Sequence, residues 1–516
     1  MVLAAFPSDR DAVDASEKPA RWDEAIDFTA NLPVESNLKG TLQGQVAFLQ
    51  NTLVHPRRGK KEVPLLVTDR GAYLLFVPSN PNQTAIEVTV RAKGGRTLKL
   101  KLNRPEHGAR SDFDNSNGRP RVVYSKRAWN GVVPWDFMHP GVSMTVTNDS
   151  GQKGTLAADG FEFGPPLELV TQNIELAMLV DQDNVPDNLW AHPTQSLAPE
   201  LAIDYYQHLP IARFTVGQYL PITFGKVVLP DGTIYTDRST FQGAGIHKGD
   251  MRQAIAKCMV STGINLANVG RTATPGGSEK QPRPFRITTV HTSAGRYTKK
   301  GKDGKPQEQV VVHGLSGGGG QLTLLNTTGN EYSHEYGHDH GLGHYPGKER
   351  GLDRHHRNGA WGYHLFKHRL IANVDWNRGK GTDKFPYEFG RDAMASGRPM
   401  GPLSVFTLHT PYALKLIQAK ITAQSGVLDA ASPTGYKKWD AEKQALVESF
   451  VGLPRPDRIG AAVVTLVGFY DPQHKLTTYI YPALYGNWGN VFKPETIRKQ
   501  DPKLGASKHV LEVADA

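Results

Sequence analysis

The chain has 516 residues, enough for two or three domains with separate apolar cores, so its size does not require metal or disulfides for folding. Hydrophobic residues make up 38% of the sequence, and its 53 glycines and 35 prolines indicate a water-soluble, turn-rich molecule with many short strands. The formal net charge of +10 favours anionic partners. However, the densest basic stretches, at 57–61 and 299–305, lack the interleaved aromatic residues of nucleic-acid surfaces, so no nucleic-acid partner is expected.

Cysteine content and hydropathy narrow the class further. Cys258 is the only cysteine, which excludes an intramolecular disulfide, and the apolar pattern around it predicts a buried thiol. No stretch is long enough to cross a bilayer, so no transmembrane segment is predicted. Residues 1–6 form a short apolar run without the basic start of a signal peptide. A removed leader, another export route and a location inside the cell all stay open.

The first part of the chain is predicted to form an antiparallel β-sandwich domain over residues 40–163, after an N-terminal extension at 1–39. Turn signals separate short runs of strand-forming residues. The predicted strands cover residues 65–67, 72–77, 86–92, 98–102 and 142–147. Gly164-Pro165-Pro166 is the predicted domain boundary.

Residues 164–495 form the second predicted domain, followed by a C-terminal tail at 496–516. The pattern predicts a strand at 174–180 and an amphipathic helix from 249 to 262 that ends near Gly263. A strand at 309–313 runs into a glycine-rich stretch at 314–320. That stretch lacks the Lys-Ser/Thr pair of a phosphate-binding loop.

A helix with two metal ligands is predicted to begin at Thr328. Thr328 and Glu331 have the spacing of a capping box, in which each side chain binds a backbone amide at a helix start. His334 and His338 are four residues apart, about 400° of rotation along a helix, so both lie on one face. The two imidazoles can therefore share one metal ion.

His344 is the predicted third ligand. Gly341 can adopt the left-handed conformation that ends a helix, and the chain can then double back to present His344. Three imidazoles leave the fourth position of a tetrahedral zinc ion open to water, as in catalytic zinc sites. Glu335 is the predicted general base, taking the water proton as a peptide carbonyl is attacked. The alternative, accidental surface histidines, does not explain the added glycine and third histidine.

Other residues near this motif receive different roles. His340 follows His338 by two residues and points to the opposite side of the helix, so a structural role is predicted. The His355-His356 pair is interpreted as part of a basic surface loop rather than a second metal site. Met394, in a turn of small residues, is predicted to form a Met-turn, the apolar floor beneath the ligating histidines of metzincins.

Together these motifs resemble the StcE, TagA and dictomallein family of secreted bacterial zinc metalloproteases. The resemblance covers roughly residues 165–490 and rests on the segments 173–180, 249–253, 317–320, 329–347, 392–395, 432–439, 465–472 and 479–483. It implies an α+β fold in which a metzincin-like zinc protease domain follows the β-sandwich. Val310 to His313 and the glycine run would then border the cleft, with loop flexibility as the competing interpretation of the glycines. Asp339-His340 replaces the Asn-Tyr more usual in the family, which predicts an altered cleft wall.

The resemblance also implies a secreted endopeptidase that holds one zinc ion per chain and cleaves O-glycosylated, mucin-type proteins. Two alternatives stay open: a zinc protease of unglycosylated proteins, and a catalytically weak, glycan-binding adhesin. The intact Glu335 argues against the adhesin, because a binding module needs no carboxylate beside its first ligand. The predicted partner is a protein or glycoprotein substrate, and the sequence leaves the oligomeric state open.

Overall fold

The computed structural model describes residues 22–489 with the exception of 31, 60, 114–120, 180–198, 230–231, 233, 236–258, 270–285, 311–314, 317–319, 325–327, 349–350, 357–360, 376–385, 425, 450–457 and 477. Cys258 and the predicted tail at 496–516 lie outside the described residues. Within the described part of the chain, no helix is both long and apolar enough to cross a membrane.

Two antiparallel sheets share one hydrophobic core in the first part of the chain. One sheet is ordered Trp129–Val133, Ala72–Pro78, Gly44–Leu49 and Leu53–Val54, and the other Lys39–Gly40, Lys153–Leu156, Ser143–Asn148, Ile86–Arg91 and Thr97–Lys101. Burial alternates along Ile86–Arg91, so Val88 and Val90 face Phe48 and Phe76 of the other sheet. The strands predicted in this region are confirmed, with ends shifted by one or two residues.

Short elements border these sheets. Ile26–Asp27 pairs in parallel with Val122–Val123, and Leu66–Val67 pairs in parallel with Phe163–Gly164. Short 3-10 helices in this part of the chain lie at Pro105–His107, Trp135–Phe137 and Ala158–Gly160. Part of the predicted N-terminal extension therefore packs on the sandwich.

A mixed sheet follows residue 164. Its strands, in order, are Arg213–Gln218, Glu168–Met178, Arg286–Lys300, Gln321–Leu324 and Leu315–Ser316, with Ile222–Phe224 beside Glu168–Met178 and Pro306–Val310 beside Arg286–Lys300. The central strand Glu168–Met178 is buried along its whole length and pairs in parallel with both neighbours. Sheets with helices on both faces bury such strands completely. The strand predicted at 174–180 thus begins earlier and ends at Met178.

The described residues form four α-helices: α1 (Pro199–Gln207), α2 (Thr262–Val269), α3 (Gly329–Asp339) and α4 (Pro411–Gln424). Tyr332 and Tyr336 of α3 share a core with Leu169 and Leu322 of the sheet. Ile264 of α2 belongs to a different core, with Ile174 and Leu176. Because strand side chains alternate, α2 and α3 cover opposite faces of the central strand.

The predicted end of the helix near Gly263 is wrong. Residues 249–258 lie outside the described chain, but α2 continues from Thr262 to Val269 with Gly263 inside it. A Cβ at Gly263 would overlap the Val467 side chain. This glycine therefore permits close packing against the C-terminal segment instead of ending the helix.

The remaining strands form small antiparallel sheets. Val427–Leu428, Tyr436–Asp440 and Ala445–Glu448 form a three-stranded sheet. The other sheets are pairs of strands: Val227–Val228 with Ile234–Tyr235, Gly362–His364 with Arg369–Ile371, Val374–Asp375 with Glu388–Phe389, Arg458–Thr465 with Leu484–Gly489, and Gly468–Phe469 with Tyr479–Ile480. The fold is mixed α and β, as predicted. The division of the chain near residue 164 stays a prediction.

Candidate metal centre

Helix α3 begins where the sequence predicts, but by different contacts. Thr328 is the N-cap residue with extended backbone, φ −136° and ψ 178°, and its side chain makes no capping hydrogen bond. The predicted cap by the Thr328 side chain is therefore wrong. The Gly329 N–H instead donates to the Val405 carbonyl at 2.8 Å. This tertiary contact binds the first amide of the helix, which a capping box leaves without a partner.

The end of α3 is a Schellman motif that turns the chain back. Gly341 has φ +83°, its N–H donates to the His338 carbonyl at 2.9 Å, and the Leu342 N–H donates to the Gly337 carbonyl at 2.9 Å. The left-handed conformation favours glycine because it lacks a Cβ. The predicted chain reversal toward His344 is confirmed.

Three imidazoles converge beside α3. One ring nitrogen each from His334, His338 and His344 can be chosen so that all lie within 4.8 Å of one another. The ring centroids of His334 and His338 are 4.6 Å apart, and that of His344 lies 5.2 Å and 4.9 Å from them. Among the described residues, this is the one such cluster of at least three His, Cys, Asp or Glu side chains.

Backbone carbonyls orient two of the three rings. The Nδ1–H of His334 donates to the Ala393 carbonyl at 2.9 Å, and the Nδ1–H of His338 donates to the Leu342 carbonyl at 2.8 Å. A proton on Nδ1 leaves the Nε2 lone pair available, and metal-ligating histidines are held in this way. The donor set of three neutral nitrogens therefore fits a zinc ion.

The surroundings also keep two of these rings uncharged. Burial lowers the pKa of His334, and the nearby His344 lowers it further. Burial likewise lowers the pKa of His338, assisted by His334 and His344. Since only the neutral imidazole binds metal, these shifts favour coordination.

Glu335 and Met394 are both buried in the elements that carry or support these ligands. Glu335 follows the first ligand in α3 and is buried, with 7% of its surface exposed. Met394 is buried within the short 3-10 helix Ala393–Ala395. A Cβ at Gly337 would overlap the Met394 Sδ, so the sulphur packs directly against the glycine of α3.

His340 and Asp339 are both buried, away from the three-ring cluster. The His340 Nδ1–H donates to the Tyr336 carbonyl at 2.6 Å, and its ring stacks on that of Tyr336. Asp339 accepts the Gly320 N–H at 2.6 Å. The structural role predicted for His340 is confirmed, and the altered cleft wall stays a prediction because most of the glycine run at the predicted cleft border lies outside the described residues.

The surface loop predicted for the His355-His356 pair is also wrong. His356 is buried, and burial lowers its pKa to about 4. The His355 Nδ1–H donates to the Asp353 carboxylate at 3.0 Å, and the His355 backbone forms an isolated β-bridge with Arg391. Basic neighbours in the sequence suggested solvent exposure, but this segment packs beside the residues that precede Met394.

The cleft border is described only in part. Val311 to Gly314 and Gly317 to Gly319 lie outside the described residues. Leu315–Ser316 is the outer strand of the sheet and pairs antiparallel with Gln321–Leu324, which precedes α3. The position of the glycine run at the border of the cleft therefore stays a prediction.

Sequence reasoning missed the residues that hold the ligands in place. The Ala393 and Leu342 carbonyls carry no sequence signal, since any residue offers the same backbone oxygen. Asp392 is fully buried, and its carboxylate accepts the Met394 N–H at 2.7 Å. A carboxylate inside a run of small residues was the available signal.

A comparison of the sequence with known families and proteins identifies the family. The model of the family described as Peptidase M66 matches residues 118–425, more than half of the chain. The chain belongs to the peptidase M66 family. Residues 454–516 match the ToxR activated gene A lipoprotein domain. The family predicted from the motifs is confirmed.

Relatives of this M66 member include two named bacterial proteins. The chain is 35% identical over 496 residues to the ToxR-activated gene A lipoprotein of Vibrio cholerae serotype O1, covering 93% of this chain and 47% of that protein. It is 26% identical over 527 residues to the metalloprotease StcE of Escherichia coli O157:H7, covering 79% of this chain and 55% of that protein. The chain thus spans about half the length of these relatives.

Proposed function

We propose that this M66 family member is a zinc-dependent endopeptidase, with His334, His338 and His344 as the metal ligands. The observation that carries the proposal is the convergence of three imidazole nitrogens within 4.8 Å, beside a buried glutamate. The family, and the name of the relative StcE as a metalloprotease, support a metal-dependent peptidase. Three neutral nitrogens favour zinc among the common protein metals.

The residues of the chain divide the work as follows. A bound zinc ion supplies Lewis-acid activation of water and polarisation of the scissile carbonyl. Glu335 accepts the proton of the attacking water and then transfers a proton to the departing amine. Burial of Glu335 limits competition from bulk water for this carboxylate. The Met394 sulphur packs against Gly337 of α3 and thereby supports the helix that carries His334 and His338.

The proposed setting is extracellular, and the proposed substrates are O-glycosylated, mucin-type proteins. Both come from the family resemblance of the motifs, and the relatives' lipoprotein description supports a place at or outside the cell surface. Cleavage of unglycosylated protein is the second candidate. The glycan-binding adhesin is less favoured, because Glu335 accompanies an intact three-histidine cluster.

Metal content and proteolysis of four variants test the site. We expect one zinc per chain, loss of proteolysis on chelation and recovery on adding zinc. Glu335→Gln should keep zinc but slow cleavage by at least about a hundredfold, the usual contribution of a positioned general base. Near-normal turnover in this variant would show that Glu335 has another role.

A matched pair of alanine variants distinguishes His344, the third candidate ligand, from the nearby His340. His344→Ala should lower zinc affinity and abolish activity, whereas His340→Ala should keep bound zinc because its ring contacts the α3 backbone instead. Glu335→Ala serves as the inactive reference. A zinc-free His340→Ala alongside an active His344→Ala would overturn the assignment.

The substrate class needs its own experiment. A mucin-type glycoprotein and its enzymatically deglycosylated form are digested in parallel, and the products are identified by mass spectrometry. Cleavage only of the glycosylated form supports the mucin proposal. Equal cleavage of both forms supports the second candidate, and binding without cleavage supports the adhesin.

A further inference from the structure

The turn at residues 392–397 touches both chain segments that carry the candidate ligands. The Ala393 carbonyl accepts the Nδ1–H of His334 at 2.9 Å. The Met394 carbonyl accepts the N–H of Tyr345, the residue directly after His344, at 3.1 Å. Two adjacent carbonyls of one turn therefore contact the first ligand's ring and the backbone next to the third ligand.

One carboxylate holds this turn in place. Asp392 Oδ1 accepts the Met394 N–H at 2.7 Å, and Asp392 Oδ2 accepts the Thr410 N–H at 2.5 Å. The side chain is fully buried, so water does not compete for these bonds. Removing this carboxylate would leave two backbone amides without their acceptor.

The backbone of Asp392 adds further restraints. Its N–H donates to the Arg354 carbonyl at 2.8 Å, and its carbonyl accepts the N–H groups of Ala395 and Gly397 at 2.9 Å and 3.1 Å. A Cβ at Gly397 would overlap the Arg391 carbonyl oxygen, so the turn also requires a glycine at its end. The Asp392 carboxylate is thus one side-chain contact within a closely packed turn.

We propose that Asp392 is a positioning residue for the zinc site. By joining the Met394 amide to the start of α4 through Thr410, its carboxylate fixes where the Ala393 and Met394 carbonyls lie. Those carbonyls then set the ring orientation of His334 and the path of the chain at His344. The inference rests on the proposed function, because it assumes that these histidines bind zinc.

A purely structural role for Asp392 predicts something different. Loss of any buried carboxylate that accepts backbone amides lowers the free energy of unfolding. Asp112 offers a matched control, since it is also buried and its Oδ1 accepts the Ala372 N–H at 2.9 Å. Asp112 packs among residues of another core, where no candidate metal ligand lies. If Asp392 acts only on stability, both sites should behave alike.

The experiment compares the full chain with Asp392→Ala, Asp392→Asn and Asp112→Ala. Zinc affinity is measured by competition with a chromogenic chelator, and the Co²⁺-substituted proteins are compared by visible absorption, which reports ligand geometry. Circular dichroism and gel filtration select the folded fraction. We expect Asp392→Ala to bind zinc about 10–100-fold more weakly, the usual effect of losing a group that orients a ligand.

Asp392→Asn should lose less affinity, because one amide oxygen can still accept the Met394 N–H while its NH₂ group opposes the Thr410 N–H. Asp112→Ala should keep its affinity and its Co²⁺ spectrum. Absence of stoichiometric zinc in the unchanged protein would contradict the proposed function itself. If the unchanged protein binds zinc, the inference is overturned when the folded Asp392 variants bind zinc within about twofold of its affinity. It is also overturned when Asp112→Ala loses as much zinc affinity as Asp392→Ala, or when both Asp392 variants fail to fold.

Discussion

Gly337 is the position in α3 where one added methyl group tests the packing beneath the metal centre. A Cβ there would overlap the Met394 Sδ and lie 3.1 Å from the His409 Cε1. His409 is fully enclosed, so neither neighbour can move into solvent. We expect Gly337→Ala to displace the turn that carries Met394 or the helix that carries the candidate ligands, because the enclosed space leaves little room for another Met394 rotamer.

The effect on stability and the effect on zinc binding should differ in size. Alanine is favoured over glycine in a helix interior by about 1 kcal/mol, while an extra methyl group in a packed core costs about 1–3 kcal/mol. The free energy of unfolding of the metal-free protein should thus fall by only about 0–2 kcal/mol. Zinc affinity should fall at least about tenfold, because Met394 shares its turn with the carbonyl that orients His334.

Gly343→Ala is the matched control within the same motif. A Cβ at Gly343 meets no heavy atom within 4 Å, so its free energy of unfolding should change by no more than about 0.5 kcal/mol. Urea titrations of the metal-free proteins measure stability, and chelator competition measures zinc affinity. The decisive quantity is the ratio of zinc affinities between the two alanine variants.

Equal zinc affinity in Gly337→Ala and Gly343→Ala would refute this reasoning. It would mean that the Met394 side chain changes rotamer without moving its backbone. The apolar floor would then be a filler of space with no influence on ligand geometry. A loss confined to urea stability, with unchanged zinc affinity, would lead to the same conclusion.

Three further changes probe the supports of the fold. Arg70→Met should lower the free energy of unfolding by about 2–4 kcal/mol in urea titrations, because the buried guanidinium donates to the Leu209 and Ile211 carbonyls at 2.5 Å and 2.8 Å. A change below about 0.5 kcal/mol would contradict this expectation. Trp488→Ala should cost about 3–5 kcal/mol in the same assay, since the indole is fully buried, and a wild-type midpoint would show that the C-terminal strand is dispensable. Burial lowers the pKa of His356 from 6.5 to about 4. As the pH falls through this window, the unfolded chain therefore binds a proton at His356 that the folded chain does not bind. The free energy of unfolding should fall over the same window, and it should fall less steeply in His356→Gln.

The candidate ligands could be predicted from the sequence because their geometry is local. Four-residue spacing on a helix puts His334 and His338 on one face, and Gly341 with φ +83° provides the reversal toward His344. Each of these steps spans about four residues or fewer, a range over which backbone geometry is nearly fixed. Met394 required the family resemblance, because a methionine distant in sequence has no local signal of its position.

The errors in prediction share one physical cause, a tertiary contact that replaced a local one. The sequence predicts a cap by the Thr328 side chain, yet that side chain makes no capping bond and the Gly329 N–H at the helix start donates to the Val405 carbonyl. Gly263 was read as a helix end, yet it makes room for Val467. His356 stands between basic residues in the sequence, yet it is buried. No local pattern distinguishes a glycine that ends a helix from one that allows a close approach.

Contacts from both flanks hold the sheet and helices around the candidate metal centre. Arg70, from the sandwich, donates to carbonyls that follow α1. Trp488, near the other end of the described chain, donates its Nε1–H to Gln172 Oε1 in the central strand at 2.7 Å. The adjacent Thr171 hydrogen-bonds to Tyr336 of α3, so the strand links this C-terminal contact to the ligand helix. Both Arg70 and Trp488 lie outside the peptidase M66 match at residues 118–425. The unit that positions the metal centre is therefore larger than the segment that identifies the family.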